Sequence, residues 1–151
     1  MEIVENRIDL LADFIRLNQQ WISHYFELEQ ADIELAADPE KVIRQGGYVF
    51  SLLHEGQVAG VCALFNKGED QFELARMAVD PAYQGRGYAN LLMDAAMQKL
   101  QAIKAKRVYL VSNTKLNTAI VLYKKYGFVV ESLGQHPHYA RADITMSRQL
   151  S

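Results

Sequence analysis

With a single cysteine the chain can form no internal disulfide, which excludes a small scaffold stapled by cysteines. That residue, Cys62, lies in QVAGVCALF, an apolar run that reads as a buried strand. A reactive thiol needs an exposed, electropositive setting, so a packing role is expected instead. No apolar run approaches the roughly 20 residues that span a bilayer. The N-terminal MEIVENRIDLLADF carries Glu2 and Glu5 where a signal peptide has basic residues, and it lacks a cleavage site. A soluble cytoplasmic protein without a membrane partner is therefore expected. An excess of one charge is also missing: sixteen basic residues against eighteen acidic ones, interspersed, leave a net charge of −2. That balance supplies no broad positive field for nucleic acid. Only three prolines interrupt the chain, no repeat or low-complexity segment is present, and half of the residues are hydrophobic. Disorder is not expected, and a single domain over residues 1–151 is.

What is there reads as alternating strands and helices. EIV suits a short strand, followed by a helix over residues 7–21 in which Leu10, Leu11, Phe14, Leu17, Trp21 and Ile22 recur at helical spacing. HYFELEQADIELAAD is less regular and rich in acids. A short helix is expected with Asp38 at its N-cap and Pro39 at its first position, stopped by Gly46-Gly47. YVFSLLHEG, QVAGVCALFNKG and QFELARMAV then read as three strands joined by HEGQ and NKGED turns, an antiparallel meander. A helix from about Gly87 to Ala105 carries a broad apolar stripe that contains Lys99, whose ammonium must snorkel. RVYLVSN follows as a strand, and a connection through a long helix implies parallel pairing with the strand before it. NTAIVLYKKYG forms the next helix, with Asn117 as its cap and Gly127 as its stop; Tyr123 and Tyr126 share its face. FVVESLG and ADITMSRQL close the chain as strands. The fold class is α/β, a mixed and mostly antiparallel central sheet with flanking helices.

Between the third meander strand and the long helix stands VDPAYQGRGYANLL. Glycines there allow left-handed dihedrals and close approach of a ligand, while the helix start offers free N–H groups. Such a turn binds anions, and Arg86 adds a mobile charge, so a phosphate or pyrophosphate is the expected ligand. A purely structural turn accounts for the same glycines. A P-loop is excluded because GxxxxGK followed by Ser or Thr is absent. A dinucleotide fingerprint fits poorly: Gly85 and Gly87 are followed by Ala89 and Asn90, and KAKRVYL stands where an acid is needed.

QGRGYA resembles the Gln/Arg-x-x-Gly-x-Gly/Ala signature of the GCN5-related N-acetyltransferases (GNAT), with Gln84, Gly87 and Ala89 on its fixed positions. The later Asn117, Ala119, Leu122, Tyr123, Lys125, Gly127 and Phe128 are similar to a second segment of that family. The resemblance spans residues 72–130. It implies transfer of an acetyl group from acetyl-CoA to an amine by direct attack in a ternary complex. It also implies parallel strands splayed around the acyl-CoA site. Met77, Ala78 and Val79 would line the pantetheine arm; Gln84, Gly85, Arg86, Gly87, Tyr88 and Ala89 would hold the pyrophosphate; Asn117 would touch the cofactor. Similar proteins commonly dimerise, so a homodimer is a further expectation.

The same resemblance brings Glu73 forward as the base for the amine and Tyr123 as a proton donor or thiolate-stabilising group. A regular strand puts Glu73, Ala75, Met77 and Val79 on one face, opposite Leu74 and Ala78. Without that role Glu73 reads as a solvent-facing carboxylate, and Tyr123 as a core tyrosine with a bonded tip. Backbone N–H near Ala78 would stabilise the developing oxyanion. His136 and His138 form an HxH pair without a third ligand, so no metal is expected. Their loop, with Tyr139 and Arg141, borders the expected acceptor pocket, Arg141 being suited to a carboxylate. Trp21, His24 and Tyr25 would form the other wall. The acceptor is expected to be a small-molecule or amino-acid-like amine. A peptide or protein N-acetyltransferase and a non-catalytic acyl-CoA sensor remain as alternatives.

Overall fold

The computed structural model describes residues 1–137 and 139–150. Its elements in chain order are β1 (Glu2–Glu5), α1 (Leu11–Tyr25), α2 (Gln30–Ala37), α3 (Glu40–Arg44), β2 (Tyr48–His54), β3 (Gln57–Gly68), β4 (Gln71–Val79), α4 (Tyr88–Ala102), β5 (Arg107–Ser112), α5 (Asn117–Lys125), β6 (Val129–Leu133) and β7 (Ile144–Gln149). Among the described residues these strands form one sheet in the order β1-β2-β3-β4-β5-β7-β6. Every neighbouring pair is antiparallel except β4 and β5. The expected mixed, mostly antiparallel sheet is the one observed.

Both faces of the sheet are covered, which is why β3 is apolar almost throughout rather than alternating. On one face Tyr88, Leu92, Met93, Ala96 and Leu100 of α4 pack with Phe50, Leu52, Leu64, Leu74 and Leu110. Leu92 is fully buried there, worth about 1.5–3 kcal/mol relative to exposure. On the other face Leu11, Phe14 and Leu17 of α1 and Val42 of α3 pack on Val49, Val61, Ala63 and Ala78. Cys62 belongs to the first core, where burial pushes its thiol up to about 12 and keeps it inert. Lys99 snorkels as expected, its ammonium 2.9 Å from Glu5 and 5.0 Å from the Tyr48 ring. No helix among the described residues is long and apolar enough to cross a membrane.

Several boundaries differ from the sequence expectations. The first helix begins later, after a 3-10 turn over Ile8–Leu10, and continues to Tyr25. The acid-rich stretch contains α2, whose start is closed by a reciprocal box: Glu29 accepts from the helix backbone, and Asp32 accepts from the Glu29 N–H at 2.8 Å. Asp38 consequently ends α2 instead of capping α3, and Pro39 takes the capping position. Asn117 is the first residue of α5, not its cap; Leu116 precedes it without any side-chain cap. The second meander turn falls on Glu69 and Asp70, both with positive φ, as a tight two-residue hairpin requires.

Candidate active site

β4 and β5 are paired only from Gln71 to Glu73 against Arg107 to Tyr109. Beyond that point they separate, for two local reasons. β5 stays with β7, its antiparallel partner through Ser112. β4 carries a bulge: Ala75 opposes Ala63 and Ala78 opposes Val61, so β4 uses one residue more than β3. Arg76 sits in that bulge at φ 62, a left-handed conformation uncommon outside glycine.

The bulge corrects the expected side-chain pattern. Met77 and Val79 join Leu74 on the α4 face, whereas Ala78 packs toward α1. Glu73, Ala75, Met77 and Val79 therefore do not share one face, because the extra residue shifts the alternation by one. The bulge is held from two sides. Asn18 of α1, itself buried, donates to the Phe14 and Arg76 carbonyls at 2.9 and 3.3 Å. The Arg76 guanidinium pairs with Asp32 of α2.

Asp32 is 3 % exposed and also receives Arg141, from the loop before β7, at 2.6 and 2.8 Å. Burial opposes its ionisation. The hydrogen bonds from Arg141, the Glu29 backbone and Arg76 outweigh that cost and hold its carboxyl at about 2. Glu29 completes the group, accepting from the Arg141 side chain at 3.1 Å and from the Ala140 N–H at 2.7 Å. Tyr139 packs against both guanidiniums, their centres 5.8 and 5.2 Å from its ring. Arg141 is thus committed to Asp32 and Glu29, which corrects its expected use on an acceptor carboxylate.

Where β4 and β5 diverge there is a cavity of about 120 Å³. Glu73, Met77, Val111 and Ser112 line it from the two strands, Ala119 and Tyr123 from α5, and Trp21 from α1. Glu73 is 5 % exposed; Lys67 stands 3.5 Å from its carboxylate. Tyr109 is its neighbour across the β4/β5 pairing, and burial together with the Glu73 charge pushes the Tyr109 hydroxyl up to about 12. Opposite, the Tyr123 ring packs on Phe128, and burial pushes its hydroxyl up to about 12 as well. Glu73, Met77 and Tyr123 all line this one cavity. His24 and Tyr25 do not: they line an outer hollow with Gln84, while Asn18 and Phe26 take the places expected of them.

The glycine-rich turn leads into α4. Gly85 and Gly87 have φ 79 and 78, and no atom lies within 4 Å of where a Cβ would stand on either. No side chain caps α4, so the first-turn N–H groups open onto the loop where Gln84 and Arg86 are exposed. Tyr88 points the other way. It is buried, its hydroxyl 2.9 Å from His54 Nδ1, so only its backbone can serve an anion. Ala89 is half-buried behind it, and Asn117 is exposed at the start of α5. These residues fit a pyrophosphate: an uncapped helix N-terminus, two left-handed glycines and an arginine held 5.3 Å over the Tyr83 ring. Beyond Glu73 the β5-facing edge of β4 has no strand partner among the described residues, which suits the amides of a pantetheine arm.

The residues that sequence reasoning missed are Asn18, Glu29, Asp32, Arg76 and Tyr109. The E-x-x-D spacing of Glu29 and Asp32 was a readable helix start. Nothing local announced the bulge. His136 sits 5.6 Å from the Tyr139 ring; His138 lies outside the described residues.

Known proteins share both the sequence pattern and the fold. The acetyltransferase (GNAT) domain family model matches residues 45–130. The uncharacterised N-acetyltransferase YjgM of Escherichia coli K12 is 32% identical over 125 residues, covering 76% of this chain and 74% of that protein. The chain belongs to the GNAT acetyltransferase family. A GNAT-family acetyltransferase from Staphylococcus aureus Mu50 superposes with a TM-score of 0.88 at 17% identity, over 99% of both chains. YncA from Salmonella typhimurium, solved with its cofactor acetyl-CoA, gives 0.81 at 17% identity over 100% of this chain and 94% of that one.

Proposed function

We propose that this protein acetylates the amine of a small molecule, with Glu73 taking the amine proton and Tyr123 hydrogen-bonding the departing sulfur. One observation carries the reading. The cavity at the β4/β5 divergence gathers a buried carboxylate and a half-buried phenol beside a β4 edge that, among the described residues, no strand pairs on the β5 side. Acetyl-CoA, when bound, supplies the activated acyl carbon that the amine nitrogen attacks as the carbon–sulfur bond breaks. Met77, Ala78 and Val79 would line its arm, and Gln84, Gly85, Arg86, Gly87, Tyr88, Ala89 and Asn117 its nucleotide end.

An amine with pKa near about 10 enters as ammonium at neutral pH, so proton removal must precede attack. That role for Glu73 is supported by its place as the last β4 residue paired with β5, beside Tyr109 and with Lys67 3.5 Å from its carboxylate. Residues from α1, β4, α5 and the loop before β7 line a volume of about 120 Å³, which supports a small head group as the acceptor. A single domain in the cytoplasm, acting as monomer or homodimer, accords with this reading.

Thiol release from acetyl-CoA with a panel of amines, and the product masses, test it directly. Glu73→Gln is expected to lower kcat by about 100-fold or more, within the usual range for a general base. An unchanged rate would assign the proton to another group. Gly87→Ala is expected to raise the acetyl-CoA Kd about 5- to 30-fold. A side chain at φ 78 costs roughly 1–2 kcal/mol, and relaxing that strain would disperse the helix-start N–H groups. Calorimetric titration reads this without turnover, and equal Kd values would remove the loop from the binding account.

A further inference from the structure

We propose that the acceptor is an amine on a compact apolar or aromatic body with no carboxylate beside the nitrogen. The inference rests on the acetyl-transfer reading and narrows its acceptor. Trp21, Ile22, Phe26 and Tyr139 supply the apolar and aromatic lining of the cavity. Among the described residues the cations lining it are Arg76 and Arg141, and both are already paired. Asp32 takes Arg76 and Arg141 together, and Glu29 takes Arg141 again. Two guanidiniums facing two carboxylates leave no net positive charge. The Arg76 side chain, only 7% exposed, cannot turn to an incoming ligand without uncovering Asp32.

Glu73 adds a buried carboxylate to the same space; Lys67, 3.5 Å from it, is half exposed and does not line the cavity. An ammonium group is therefore attracted, whereas a carboxylate within a few ångströms of it meets Glu73 and finds no cation to neutralise it. Desolvating an unpaired carboxylate in such a setting is heavily disfavoured. The volume of about 120 Å³ is comparable to engineered cavities, on the order of 150 Å³, that take a benzene ring. Shared with the thioester end of the cofactor, that space takes only a compact apolar body beside the amine.

The test compares matched acceptors with the purified full chain and acetyl-CoA: 2-phenylethylamine, phenylalanine and phenylalanine methyl ester, then 3-methylbutylamine against leucine. Product mass and thiol release are recorded, and acetyl-CoA binding is titrated separately. Each amine is expected to exceed its amino acid in kcat/KM by on the order of 100-fold, with the ester recovering most of the loss. Glu29→Gln, which loosens one carboxylate from Arg141, should raise the phenylalanine to phenylethylamine ratio several-fold. Amino acids reacting as well as the amines, or a ratio unmoved in E29Q, would overturn the inference while leaving acetyl transfer intact. Binding of acetyl-CoA with no reaction of any of these amines would overturn it too. Failure of acetyl-CoA to bind would instead overturn the reading beneath it.

Discussion

Tyr123→Phe is expected to lower kcat by about 100- to 1,000-fold with the acetyl-CoA Kd nearly unchanged, the size of effect seen when one donor to a developing negative charge is lost. The ring packs on Phe128 at 6.2 Å between centroids, so phenylalanine keeps the core contact and removes the hydroxyl alone. Burial pushes that hydroxyl up to about 12, whereas a thiol ordinarily titrates near about 8.5. Complete proton transfer from Tyr123 to the departing sulfur is therefore uphill, and donation of a hydrogen bond is the role its environment favours. Because the raised value keeps the phenol protonated below about 12, the wild-type kcat should show no loss from this group up to at least about pH 10. Steady-state kinetics with titrated cofactor binding decide the matter. A kcat within twofold of wild type would remove Tyr123 from the chemistry.

Asp32→Ala should cost about 3–5 kcal/mol of folding stability, because it leaves the buried Arg76 without a carboxylate and Arg141 with Glu29 alone. That is a large part of the roughly 5–15 kcal/mol typical of a domain, and denaturant unfolding would show it as a lowered midpoint. Acid provides a second readout. The Asp32 pKa is depressed from 3.8 to about 2, so its contribution is fully present above about pH 4 and disappears as pH falls toward 2. Asp32→Asn should lack that part of the acid transition while keeping much of the side-chain shape. Identical acid profiles for the two proteins would mean that the network adds nothing to stability.

The meander, the long α4, the glycine turn and α5 were all legible in the chain because each is announced locally: by apolar runs between turn residues, by helical spacing, by Gly85 and Gly87. Glu73 and Tyr123 were legible only through a family pattern, since a carboxylate in a strand and a tyrosine on a helix are otherwise unremarkable. α2 escaped because its burial rests on one aspartate rather than on an apolar stripe. The Arg76 bulge escaped because a non-glycine residue at positive φ carries no signature, and its partners Asp32 and Asn18 lie 44 and 58 residues away.

By itself, then, the sequence determined the element types other than α2, the parallel crossover through α4 and the residues available for an anion-binding helix start. These follow from periodicity and backbone preferences that act over a few residues. Only the tertiary structure decided how β4 and β5 part, which of β4's side chains face the cavity, and that Arg141 is spent on Asp32 and Glu29 rather than free for a ligand. Each of those depends on groups far apart in the chain meeting in one buried place, where the cost of an unpaired charge selects the partner and local preference has no vote.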